Sequence, residues 1–295
     1  MNLTDKFKIA FIGGDARQIY TAVSFQDKGY ETALYGFDKL CDDLGECTKC
    51  VQFTDAVNGA SAVVLGLPVS SDGINLSMPC SQDTVSLDEL FSHIDKNALV
   101  LGGNIGSSVF ALANKHGLKL VDYYDREELK IANAHLTSQS AVSIAINEID
   151  FSISENPVLV IGYGRIGKTL CHILKSMGCE VYASARKRKD IAWIRAYGYS
   201  AVDTSKVDEV ISSCRVIFNT VPGCVLDCDK LKSVNKQSLI IDLASKPGGV
   251  DFEAAKNSGL KVMWALALPG KNMKISAGRV IAETIMNIFD DEGLI

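Results

Sequence analysis

From Lys8 onward, short apolar runs alternate with stretches whose apolar positions recur at helical spacing. The runs Lys8–Gly13, Glu31–Tyr35, Ala62–Pro68, Ala98–Gly102 and Leu118–Tyr123 read as strands, and their rhythm predicts βα units in a parallel sheet. After Pro157 the rhythm restarts with Val158–Ile161, Glu180–Ser184, Arg215–Thr220, Ser238–Leu243 and Lys261–Ala265. The chain therefore reads as α/β, with two doubly wound parallel-sheet domains and an interdomain cleft of the kind that holds small ligands. Ser140–Asn147 has helical length and small apolar residues, and Glu148–Asn156 is polar, which places the boundary near 150. The expected division is 1–150, 151–275 and a final segment, 276–295, whose helix (Ser276–Asp290) packs back on the first domain.

With 295 residues, 47% of them apolar, the chain can bury two cores. A formal charge of -5 leaves no excess of Lys and Arg for a nucleic-acid surface, so a small-molecule partner is expected. Met1–Lys8 is polar and charged, and only Ile9–Ile12 follows before glycines intervene, so no signal peptide or membrane span is expected. Nine cysteines, an odd number scattered through apolar segments, read as reduced thiols of a cytoplasmic protein. Cys47-Thr48-Lys49-Cys50, with Cys41 nearby, has a spacing that can chelate zinc or exchange disulfides. No second pair or histidine stands at suitable spacing, so the segment reads as a surface turn and no metal is expected.

Gly162-Tyr163-Gly164-Arg165-Ile166-Gly167 has the GxGxxG spacing in the setting that gives it meaning, between the strand Val158–Ile161 and a helix over Arg165–Met177. The first glycine permits the tight turn, the second lets backbone approach a pyrophosphate, and the third lets helix and strand pack closely. The second domain thus reads as a Rossmann dinucleotide-binding domain. In such domains a carboxylate some 20 residues further on holds the ribose 2′-OH of NAD, roughly where this chain has Ser184-Ala185-Arg186-Lys187-Arg188-Lys189. A hydroxyl with cationic groups suits a 2′-phosphate, so Ser184, Arg186 and Lys187 point to NADP. Asn219–Gly223 and Asp242–Gly249 end the following strands, where ligands of open α/β sheets bind. Thr220, Val221, Pro222 and Ala244 are expected to line the ribose and nicotinamide, with Ser245 and Lys246 at the reacting centre. Asp242, still inside its strand, reads as structural.

The first domain has its own glycine turn, Gly13-Gly14-Asp15-Ala16-Arg17, but lacks the GxGxxG spacing and puts a carboxylate where phosphate would lie. It is not expected to hold a second dinucleotide. Arg17, near a helix start, can clamp a substrate carboxylate or simply pair with Asp15. Leu67–Ser70, Gly102–Asn104 and Asn133–Thr137 read as further loops at the cleft, with Ser70, Asn104 and Thr137 as candidate ligand contacts. His135 is read as a surface or packing residue.

These stretches resemble the A-subunit family of dipicolinate synthase from spore-forming bacteria: KIAFIGGDARQ (8–18), LPVSSDGI (67–74), VIGYGRIGK (160–168), NTVP (219–222), DLASKPGGVDF (242–252) and ALPGKNMKISAGRVI (267–281). The resemblance implies a cytoplasmic enzyme of sporulation, on a branch of the lysine pathway. It would turn 4-hydroxytetrahydrodipicolinate into dipicolinate by losing water and two hydrogens to NADP, with a flavoprotein B subunit as partner. It also puts Asp15 and Arg17, Ser70, Ser245 and Lys246, and Lys271 in family elements. A dicarboxylate substrate suits cations such as Arg17, Lys246 and Lys271. Within this reading Lys246 neutralises substrate and shuttles a proton, while Ser245 and Thr137 orient it. A homo-oligomer is also expected. The chain departs from the family pattern, which has a Pro and a Glu-Gly pair where Leu136 and Gln139-Ser140 stand, and a Lys at Ile275, with Lys274 one place early.

Two other readings stay in view. D-2-hydroxyacid dehydrogenases have a similar domain connection but need a catalytic His in the dinucleotide-binding half, where the only histidine after the glycine loop is His172, on its first helix. A non-catalytic NADP-binding sensor or scaffold subunit of a flavoprotein complex is the reading that the departures at Gln139 and Ile275 keep open.

Overall fold

The computed structural model describes residues 7–40 and 45–295, so Met1–Lys6 and Cys41 lie outside the described residues. The chain forms two compact units. The first comprises residues 1–133 and 273–295, and the second residues 134–272.

In the first unit β1 (Lys8–Ile12), α1 (Ala16–Gln26), β2 (Glu31–Tyr35), β3 (Thr48–Lys49), α2 (Phe53–Val57), β4 (Ala62–Leu65), α3 (Leu87–His93), β5 (Leu99–Gly102), α4 (Ser107–Lys115) and β6 (Lys119–Asp122) build one sheet and its helices. Then α5 (Glu127–Glu148) leads into the second unit: β7 (Val158–Ile161), α6 (Arg165–Ser176), β8 (Val181–Ala185), α7 (Arg188–Ala196), β9 (Ser200–Asp203), α8 (Asp208–Ile211), β10 (Val216–Asn219), α9 (Cys228–Lys232), β11 (Leu239–Asp242), α10 (Phe252–Asn257), β12 (Lys261–Trp264) and α11 (Leu268–Asn272). The last helix, α12 (Lys274–Asp291), belongs to the first unit.

Both sheets have six parallel strands, in the orders β3-β2-β1-β4-β5-β6 and β12-β11-β10-β7-β8-β9. This is the doubly wound α/β architecture expected from the rhythm of apolar runs. Each sheet is wound outward from its first strand, so the switch points lie between β1 and β4 and between β7 and β10, with Ile12 opposite Leu65 and Ile161 opposite Asn219. Side chains of a strand alternate between faces, and both faces are covered. Ala10 and Ile12 enter one apolar cluster and Ile9 and Phe11 another; Val158 and Val160 are separated in the same way from Leu159 and Ile161. Each fully buried Ile or Leu contributes roughly 1.5–3 kcal/mol.

Three local readings change. β3 and β9 are edge strands with little apolar signal, because one side of an edge strand has no neighbour. Thr48 and Lys49 pair with Ala33 and Leu34, so the CxxC segment is an edge strand rather than a turn, with Cys47 buried. Asn133–Thr137 is not a loop: it lies inside α5, which holds no Gly or Pro and opens with Glu127 and Glu128 at the positive end of its dipole.

α12 packs on α1 through a glycine. A Cβ at Gly278 would stand 2.6 Å from Arg17 O and 2.6 Å from Tyr20 Cβ. Thr21 Oγ1 lies 2.9 Å from Arg17 O and 3.0 Å from Gly278 O. Ile281, Ile285, Ile288 and Phe289 enter the core that holds Ile19 and Phe25.

Candidate functional site

In the second unit the three glycines of the β7–α6 turn have three different surroundings. Gly162 has φ +95, and a Cβ there would collide with Thr220 Oγ1. A Cβ at Gly167 would collide with Gly162 O, so helix and turn are in backbone contact. At Gly164 it would meet nothing within 4 Å. Gly164 is also the N-cap of α6, with no side-chain cap and no acid in the first turn. The positive end of a twelve-residue helix is therefore uncapped and uncrowded at Gly164, the setting in which a helix start can receive a phosphate. Arg165 is exposed and Ile166 half-buried there. Tyr163 is buried beneath Lys168, whose Nζ lies 5.7 Å from the ring centre. Ser138 of α5 braces this turn, with Oγ 2.6 Å from Thr169 Oγ1 and 3.2 Å from Ile166 O.

Ser184 does not join the cationic turn. As the penultimate residue of β8 it is fully buried, and its Oγ accepts the Gly162 N–H (3.3 Å) and lies 3.2 Å from Thr204 Oγ1. Its hydroxyl supports the glycine turn from below. Arg186, Lys187, Arg188 and Lys189 are exposed, and none has an ion-pair partner among the described residues. Lys187 is the N-cap of α7, and Arg188 and Lys189 stand in its first turn, where the helix dipole disfavours cations and favours an anion.

At the ends of β10 and β11, Thr220 Oγ1 donates to Ile161 O (2.9 Å), Val221 is half-buried and Pro222 exposed. Ala244 is buried, its carbonyl accepting from Trp264 Nε1 (2.9 Å). Ser245 and Lys246 are exposed, Thr137 is buried within α5, and Lys271 is exposed on α11.

In the first unit, Asp15 caps α1 by accepting the Arg17 N–H (3.0 Å) and grips the same residue's guanidinium, from Nε to Oδ1 (2.9 Å) and from Nη2 to Oδ2 (2.8 Å). Arg17 Nη2 also donates to Leu67 O (2.7 Å), joining the start of α1 to the loop after β4 across the switch point. The Arg17 side chain is 14% exposed; burial alone would weaken its charge, and the Asp15 hydrogen bond and charge raise its pKa above the ordinary value. Nη1 has no hydrogen-bond partner among the described residues. A Cβ at Gly66 would stand 2.5 Å from Gly14 Cα, and the Gly14 N–H donates to Ser77 O (2.8 Å). This turn is closed by the backbone of Gly66 and Ser77, unlike the turn at Gly164.

Two residues of this rim escape the sequence reading. Tyr123, fully buried, donates from its hydroxyl to Leu65 O (3.1 Å) and stands beside Gly103. Asp122 accepts the Asn104 N–H (3.0 Å) and the Ile105 N–H (2.8 Å), which holds Asn104 exposed at φ +53. The only signal was their place at the end of an apolar run. Ser70 is bound within its own turn, accepting the Gly73 N–H (2.9 Å) with its Oγ 2.6 Å from Asn75 O.

Residues 8–124 match the domain family described as the N-terminal domain of the dipicolinate synthase A-subunit. Residues 146–246 match the NAD binding domain of D-isomer specific 2-hydroxyacid dehydrogenases. Over 284 residues, 95% of either chain, the sequence is 28% identical to the dipicolinate synthase A-subunit of Bacillus subtilis. The chain is a relative of the dipicolinate synthase A-subunit. The crystal structure of that protein from Bacillus halodurans superposes with a TM-score of 0.84 at 27% identity, covering 96% of this chain and 97% of the other. D-lactate dehydrogenase of Escherichia coli shares the fold alone, with a TM-score of 0.61 at 17% identity over 97% of each chain. The second unit is accordingly a nicotinamide-cofactor domain of oxidoreductase type, and the glycine turn fits such a cofactor. Of the positions that depart from the A-subunit pattern, Gln139 and Ile275 are exposed, Leu136 is buried, and Lys274 Nζ lies 5.6 Å from the Tyr20 ring centre.

Proposed function

We propose that this chain is an NADP-dependent oxidoreductase of the dipicolinate synthase type, which converts 4-hydroxytetrahydrodipicolinate into dipicolinate by loss of water and of two hydrogens. The observation that carries the reading is the pairing, in one unit, of an uncapped helix start at Gly164 with four exposed cations at 186–189. The first suits a pyrophosphate and the second a 2′-phosphate. The bound nicotinamide supplies a hydride acceptor. Gly162, Gly164 and Gly167 receive the cofactor, Arg186 and Lys187 select its phosphate, and Thr220, Val221, Pro222 and Ala244 line its reactive half.

Among the remaining residues of the second unit, Lys246 neutralises a substrate carboxylate and holds a proton at Nζ, Ser245 and Thr137 orient the substrate, and Lys271 is a further contact. The first unit offers Arg17 Nη1 as a carboxylate donor, fixed in direction by Asp15, together with Asn104. Ser70 shapes its own turn. The relatives' designation as one subunit of a synthase supports a complex, for which a flavoprotein B subunit is the proposed partner, in the cytoplasm of a sporulating cell.

The test supplies enzymatically prepared 4-hydroxytetrahydrodipicolinate and NADP to the purified chain, with and without the flavoprotein, and follows dipicolinate absorbance. Dipicolinate is the expected product. Failure under both conditions, with cofactor bound, would replace this reading by a sensor or scaffold role, which the exposed Gln139 and Ile275 leave open.

A further inference from the structure

One buried pair ties together the loops after β10 and β11. Asn219 and Asp242, the last residues of those strands, stand opposite each other in register, and both are 0% exposed. Asn219 Nδ2 donates to Asp242 Oδ1 (2.8 Å) and to Val221 O (3.1 Å), and the Val221 N–H donates back to Asn219 Oδ1 (3.2 Å). Asp242 also accepts the Ala244 N–H at Oδ1 (3.1 Å) and the Gly249 N–H at Oδ2 (2.8 Å). Val221 on one loop, and Ala244 and Gly249 on the other, are thus held by two side chains. A Cβ at Gly249 would collide with Asn219 Nδ2, so the second loop closes only over a glycine.

Every group bonded to this carboxylate is an N–H donor, an arrangement that suits an anion. No cation among the described residues pairs with it. Burying an uncompensated charge opposes folding, and a neutral pair could tie two loops at less expense. The carboxylate lies at the base of the loops that carry Val221 and Ala244, assigned above to the reactive half of the cofactor. The oxidised nicotinamide ring carries a positive charge that the reduced ring lacks, and in a low-dielectric setting a fixed anion discriminates between them.

We propose that Asp242 is a positioning residue whose buried charge, held in place by Asn219, favours the oxidised over the reduced cofactor and so sets the site toward oxidation. This rests on the assignment of a nicotinamide cofactor to the second unit. The experiment measures the dissociation constants of NADP+ and NADPH for the full chain and for Asp242→Asn and Asn219→Ser, with thermal unfolding of each. Asp242→Asn should move the NADPH-to-NADP+ ratio of dissociation constants toward the reduced form by about tenfold. Asn219→Ser keeps the carboxylate, so it should weaken both forms by a similar factor, leave their ratio within about twofold and speed exchange of the Gly249 amide. Should Asn at 242 prevent folding, Asp242→Ser, neutral yet still an acceptor, is read in the same way. An unchanged ratio in the position-242 variant, or an equal shift in Asn219→Ser, overturns the proposal. A wild-type chain that binds neither form would instead remove the cofactor reading beneath it.

Discussion

At the scale of single residues, the glycines of the β7–α6 turn separate folding from binding. Gly167→Ala forces a methyl group into Gly162 O, so it should cost about 1–3 kcal/mol of stability and abolish cofactor binding. Gly164→Ala adds a methyl to open space; stability should stay within about 0.5 kcal/mol while cofactor affinity falls at least tenfold. Calorimetric titration beside thermal unfolding checks both, and a Gly167→Ala chain that binds like the wild type would refute the backbone contact. At the cationic turn, Arg186→Ala should weaken NADP about tenfold and leave NAD unchanged; equal losses for both would remove the argument for NADP. Glycine spacing and the charge run were plain in the sequence, because both are local. The burial of Ser184 was not, since its hydroxyl is claimed by Gly162 and Thr204, some 20 residues away on either side.

Elements show where local patterning stops being informative. Continuous apolar runs made ten strands recognisable, eight of them inside the sheets and two, β6 and β12, at their edges. β3 and β9 were not, because an edge strand needs no such run. The Asn133–Thr137 part of α5 reads as loop because its exposed polar face, including His135 and Gln139, masks the helical spacing. The docking of α12 on α1 depends on backbone contact at Gly278. Gly278→Leu should push the helices apart and lower the unfolding free energy by about 2–4 kcal/mol, with the effect read by thermal unfolding and by faster amide exchange in both helices. A variant as stable as the wild type would show that the close approach contributes nothing.

For the whole molecule, burial controls the response to alkali and to thiol reagents. The Tyr35 phenol is pushed up to about 12 by burial and by its bond to Asp83 (2.9 Å). Its folded pKa lies above the ordinary value near 10, so the associated stability is present below about pH 10 and is lost as pH rises through 12. Tyr35→Phe should flatten the fall in stability over that window, as followed by denaturant titration at several pH values; an unchanged slope would exclude the phenol as its source. Burial likewise lifts the Cys171 and Cys214 thiols to about 12 and about 11, whereas Cys224 and Cys228 are exposed. Peptide mapping after brief alkylation of the native chain at pH 8 should find Cys224 and Cys228 modified and Cys171 and Cys214 intact. The reverse order would contradict the packing on both faces of the second sheet.

What the sequence determined by itself was whatever one stretch of chain can encode: a strand buried on both sides, a glycine turn that opens a helix, a basic run after β8 and a fold class made of repeats of these. Only the tertiary structure decided which side chains those elements would claim. It spread Arg17 between Asp15 and Leu67, set Tyr123 beneath Leu65, and placed Asp242 against Asn219 with no cation paired to it among the described residues. Apart from the local Arg17–Asp15 grip, each of these contacts joins segments distant in sequence, and such proximity follows from strand order and register, which no single stretch of chain records.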